Sequence, residues 1–229
     1  MSPWGSFLLA ASLVALTAML AGLCVRGLRR YAATRSLSQG MWGIGLLFAT
    51  GAMAIESIIY LGARSTVALQ AYVFFSAAIV GVLSLGATRV LRRPRLERGY
   101  RAYIVGTTAL VAVASFLTPM PSQMIQAGIV VGNPPLPLIL LSTLVTAPAT
   151  VVLLASSVVA LRRDHRWQTL LMIAGAVILG AGGTLYIAAF PIALYYAEFL
   201  GIVLLFFGLV SLPQAAPVPA PASGPRPAP

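Results

Sequence analysis

Four acidic side chains occur in the 229-residue chain, and two of them, Glu56 and Glu198, interrupt long apolar runs. A charge at the centre of a membrane-crossing helix costs roughly 2.5–3.5 kcal/mol on insertion scales, so each is a candidate functional site. The chemistry open to such a carboxyl is proton or cation binding, because desolvation favours its neutral form and a nearby cation its ionised form. The structural alternative is an interhelical hydrogen-bond pair or a contact to Arg64 that fixes packing. Glu97 and Asp164 sit among arginines instead and read as surface ion-pair partners, worth little each.

The spacing of the two buried acids is informative. Glu56 lies six residues before Gly62 and Glu198 seven residues after Pro191, about 9 and 10 Å from those turn residues at a helical rise. Both therefore fall in the outer half of their spans, at similar levels. Gly45, Ala49, Ala52 and Glu56 are spaced four, three and four apart and share one helix face. Small residues mark close helix contact in membranes, so Glu56 is expected to face other helices rather than lipid. Gly201 and Gly208 suggest the same for Glu198. Polar neighbours at that level are Tyr60, Arg64, Gln70, Tyr72, Thr118, Tyr186, Tyr195 and Tyr196. Their hydroxyls and amides can bond a carboxyl, although tyrosine is also common at membrane interfaces in its own right.

Other chemistries lack their residues. All fifteen basic side chains are Arg, so no lysine amine is present for a retinal Schiff base. His165 is the single histidine and Cys24 the single cysteine, which excludes paired-histidine haem ligation, a histidine metal cluster and an internal disulfide. Gly180-Ala181-Gly182-Gly183 lies within an apolar run with no preceding strand and is no dinucleotide fingerprint. No enzyme, cofactor or metal site is expected.

The elements that must position the glutamates follow from composition. The chain is 59% hydrophobic and only 8% charged, against about 25% charged for a soluble domain. The expected fold is all-α, a polytopic seven-transmembrane-helix bundle over residues 1–212. Its spans are expected near 7–25, 42–62, 67–90, 102–117, 138–161, 167–189 and 192–212. The first run lacks the basic lead of a signal peptide and reads as a retained span. Pro148 is expected to kink the fifth span. Residues 213–229 hold seven prolines and read as a disordered tail.

Between spans four and five, Pro119 to Pro137 carries five prolines, no charge and an apolar middle from Met124 to Val131. It is expected to be an interfacial loop or short helix lying on the bundle, or a lid or re-entrant element over an outward cavity, the latter tolerated only where protein buries its backbone. Trp42 and Trp167 open spans 125 residues apart, and Ala68-Leu69 and Phe74 recur at that offset as Ala193-Leu194 and Phe199. This would fit a parallel three-one-three arrangement, of the kind small sugar transporters build from three-helix repeats.

The net charge of +11 is explained by topology rather than by nucleic acid. Three inter-span stretches hold thirteen of the fifteen arginines, and the outer connections hold only Arg64. Positive loops stay cytoplasmic, which sets the N-terminus outside and the C-terminus inside a cytoplasmic membrane. The expected partners are the lipid bilayer, anionic headgroups at the arginine loops, and a protein partner or a second copy. The leading functional expectation is a small transporter or proton- or cation-linked permeation protein using Glu56 and Glu198. The alternative is a non-transporting membrane subunit, scaffold or sensor that binds a partner through its basic loops.

Overall fold

The computed structural model describes residues 3–63, 65–91, 94–121, 124–126, 129–130, 134–164, 167–187 and 191–210. Seven α-helices carry this part of the chain: α1 (Pro3–Thr34), α2 (Leu37–Tyr60), α3 (Thr66–Ala87), α4 (Pro94–Leu117), α5 (Leu136–Asp164), α6 (Trp167–Ile187) and α7 (Pro191–Val210). Five of them, α1 to α5, are long and apolar enough to cross a membrane. Two strands of two residues, β1 (Ile125–Gln126) and β2 (Ile129–Val130), pair antiparallel between α4 and α5.

The helix ends have local causes. Arg35, at φ +52°, ends α1 in the left-handed region, and Ser36 opens α2 one residue later. Gly62, at φ +104°, ends α2, with its N–H on the Ile59 carbonyl and that of Ala63 on Ile58. That pattern is a Schellman cap, which favours glycine at this φ. The Ser65 hydroxyl then accepts from the Ala68 N–H at the start of α3. Proline is the first residue of both α4 and α7, where its missing N–H costs nothing.

Two expectations are corrected. The described residues between Arg89 and Arg101, expected to link two spans, are helical: a 3-10 turn covers Thr88–Leu91 and α4 begins at Pro94, with Arg101 paired to Glu97 at 2.7 Å one turn back. Glu97 in the first turn complements the helix dipole and supports that early start. The connection between α4 and α5 is, in its described residues, neither a plain loop nor a short helix. Its core is the β1–β2 hairpin, and Met124 and Val130 are fully buried. Pro148 lies inside α5, which runs from Leu136 to Asp164. Pro148 cannot donate to the Leu144 carbonyl; the Tyr103 hydroxyl of α4 donates to that oxygen instead, at 2.6 Å.

The helices pack in two consecutive runs, α1–α2–α3 and α5–α6–α7. They are joined by an α3–α5 contact, α4 lies against α3 and α5, and α1 meets α7 more sparsely. One continuous apolar core draws on α1, α2, α3, α5, α6 and α7 (Leu20, Leu46, Leu83, Leu153, Met172 and Leu205 at its centre) together with Met124 and Val130 of the α4–α5 connection. Close approach is made by glycines. A methyl at Gly45 would meet Leu83, one at Gly175 the Gly201 carbonyl at 2.6 Å, and one at Gly208 the Met172 side chain.

Candidate functional site

The site is built around Glu56, four residues before the end of α2. Gly45, Ala49, Ala52 and Glu56 are all buried, so the small-residue face carries the carboxyl inward; Glu56 is 1% exposed. Ala52, Met53 and Ile59, which bracket it on α2, belong to one buried cluster with Leu69 and Tyr72 of α3 and Met120, Met124 and Val130 of the α4–α5 connection. The carboxyl is thus closed off from solvent.

Its contact with the α4–α5 connection is specific. The Val130 backbone N–H, on β2, donates to Glu56 Oε1 at 3.3 Å. Ile125 faces Val130 across the hairpin, so the pairing that forms the hairpin also presents this amide to the helix. A carboxylate accepting a backbone N–H is a charge-assisted bond, and its geometry persists with a neutral acceptor. One residue on, the Ser57 hydroxyl lies 3.4 Å from Thr17 Oγ1 and ties α2 to α1 at the same level.

The other residues singled out by sequence divide into three groups. Tyr72 is buried in the cluster that encloses Glu56, and Tyr60, the last residue of α2, is half-buried against it. Gln70 points elsewhere, and its Nε2 donates to the Phe116 and Thr118 carbonyls at 3.2 and 3.1 Å. Those oxygens lie at the end of α4, where helical carbonyls lack intrahelical partners, so Gln70 caps α4. Tyr196 is exposed, and its hydroxyl donates to Ser12 Oγ at 3.1 Å across the α1–α7 seam. Arg64 and the side chains of Glu198, Tyr186 and Tyr195 lie outside the described residues.

Sequence reasoning missed the Val130 amide, because a backbone donor leaves no side-chain signature. The signal nearest to it is the sequence Ile125-Gln126-Ala127-Gly128-Ile129-Val130, in which two short stretches flank a glycine-containing pair of the kind that suits a hairpin turn. Among the described residues no cluster of His, Cys, Asp and Glu could hold a metal ion. Compared with known proteins, the chain matches no family model, no curated protein and no solved structure.

Proposed function

We propose that the chain is a seven-span protein of the cytoplasmic membrane, N-terminus outside and C-terminus inside, and that it is a small proton- or cation-linked permeation protein whose ion-binding group is Glu56. The five membrane-length helices and the apolar α6 and α7 support the span count. The arginine distribution supports the orientation. The observation that carries the functional reading is a wholly buried carboxyl that accepts the Val130 backbone N–H of the β1–β2 hairpin. Such a carboxyl can take up a proton from the outer side when the hairpin moves and exclude water when it is seated.

The same bond also favours a second reading, in which Glu56 latches the hairpin to α2 in a non-transporting subunit or scaffold. Glu56→Gln separates the two, because the amide oxygen still accepts from Val130 while the titrating group is gone. In proteoliposomes of defined orientation, the permeation reading expects loss of pH-driven flux in a folded Glu56→Gln protein. Wild-type flux in that variant overturns it.

A further inference from the structure

The lower part of α1 carries a second feature that the Glu56 site does not use. Arg26, Arg29 and Arg30 are spaced three and one apart and form, with Gly22, Val25 and Ala33, an open groove of about 480 Å³. Cys24 and Gly27 are buried on the side of α1 that packs on α2: the Cys24 thiol donates to the Gly43 carbonyl at 3.5 Å, and Gly27 lies against Gly43. The groove is on the other side. A methyl group at Gly22 would meet nothing within 4 Å, and Val25, Arg26 and Arg29 are exposed.

The position matches a membrane boundary. The apolar run of α1 ends at Val25 and the arginines begin at Arg26. Ser12, Met19, Leu23, Arg26 and Arg30, spaced seven, four, three and four apart, lie along one line of the helix. At its outer end that line meets α7 through the Tyr196–Ser12 bond. From Gly22 back to Ser12 is ten residues, about 15 Å of helical rise, which is half of a hydrocarbon core about 30 Å thick. One acyl chain laid from the arginines along this crease would end at the bilayer midplane.

We propose that this groove binds one anionic phospholipid of the leaflet at the arginine end, with its phosphate on Arg26, Arg29 and Arg30 and an acyl chain against Gly22 and Val25. The proposal rests on the membrane-embedded reading and names the lipid class and the residues that select it. Guanidinium groups bind phosphate oxygens in pairs of parallel hydrogen bonds, and three within one turn favour a headgroup of net negative charge over a zwitterionic one.

The test is native mass spectrometry of the detergent-purified full chain, titrated with phosphatidylglycerol, phosphatidylcholine and inorganic phosphate. Phosphatidylglycerol is expected to bind at least tenfold more tightly than phosphatidylcholine, and inorganic phosphate not to displace it. Arg26→Gln with Arg29→Gln and Arg30→Gln is expected to lower that affinity by on the order of a hundredfold, about fivefold per arginine. Gly22→Phe fills the crease without altering charge, has room to fold, and is expected to lower affinity several-fold. Arg95→Gln with Arg98→Gln, exposed arginines on α4, is expected to bind as wild type does. Wild-type affinity in both the triple variant and Gly22→Phe overturns the site, as does equal binding of the two lipids or displacement by phosphate. Failure of the reconstituted protein to float with phosphatidylcholine vesicles overturns the membrane reading itself, so the two failures are distinguishable.

Discussion

Helices α3 and α4 are neighbours in sequence and in space, and both are long and apolar enough to cross a membrane, yet they are buried to very different degrees. Over its apolar window α3 is 56% buried and α4 17%. The physical reason is that lipid tails are as apolar as leucine, so hydrophobicity does not drive one helix against another in a membrane; close packing of small residues does. On α3, Gly81 lies against Val145 of α5 and Gly86 against the Trp42 ring of α2. On α4, Gly99 and Gly106 face open space. Glycine content alone therefore does not mark a contact; its position relative to a partner does.

The largest expected effect tests that contact directly. A methyl group at Gly86 would overlap both Cδ1 and Nε1 of Trp42 and sit 3.2 Å from the Ser38 carbonyl oxygen. The indole is buried, and the Ser38 hydroxyl donates to the Gly86 carbonyl at 2.5 Å, so neither neighbour is free to withdraw. Gly86→Ala is expected to destabilise by about 3 kcal/mol, the upper part of the overpacking range. Thermal or denaturant unfolding in mild detergent measures it, and a wild-type midpoint would mean that α2 and α3 can part to admit a methyl group.

How much of this is legible in the sequence follows from the same distinction. The apolar runs mark the helices, because membrane-length hydrophobicity is a one-dimensional signal. The spacing of Gly45, Ala49, Ala52 and Glu56 marks the inward face of α2, because helical periodicity is local. The hairpin over Glu56 is not legible, since five prolines and a short apolar middle fit a loop equally well. Its burial depends on Leu69 and Tyr72 of α3, which arrive from a distant part of the chain. The continuation of α4 back to Pro94 is hidden by its arginines, which resemble loop markers, although Glu97 and Arg101 are spaced for a helical ion pair. Depth alone makes Gln70 look like a site residue; the end of α4 that it caps is 46 and 48 residues away.

The Glu56 contact carries the next effect in size. Glu56→Leu keeps the volume of the side chain but removes the bond from the Val130 N–H, and a hydrogen bond to a charged group is worth about 1.5–3 kcal/mol. The loss is expected to be local: faster amide exchange at Val130 and proteolysis within the α4–α5 connection, with α4 and α5 unaffected. Uniform destabilisation of all helices would instead make Glu56 part of the general α2–α3 packing.

Smaller again is the expected cost at Pro148. Tyr103→Phe removes the donor to the Leu144 carbonyl that Pro148 cannot supply. The cost expected is about 1 kcal/mol, that of one net hydrogen bond. Pro148→Ala restores the helical N–H, so Tyr103→Phe in that background is expected to cost less than it does alone. Equal costs in the two backgrounds would show that the hydroxyl acts elsewhere than on the proline's missing bond.

The smallest expected effect falls on the exposed side of the comparison. Gly106 lies in the middle of α4, and a methyl group there would meet nothing within 4 Å. Gly→Ala inside a helix stabilises by roughly 0.5–1 kcal/mol when the alternative is an unfolded chain in water. In a bilayer the separated helix stays helical, because its backbone groups find no other partners there. The gain therefore shrinks toward zero, and Gly106→Ala is expected to leave the unfolding midpoint unchanged. Gly106→Leu, which adds only lipid-facing surface, should behave alike. If Gly106→Leu instead destabilised as Gly86→Ala does, the open face of α4 would be a contact surface in the membrane, and a concentration-dependent midpoint would identify a second copy of the chain as what covers it.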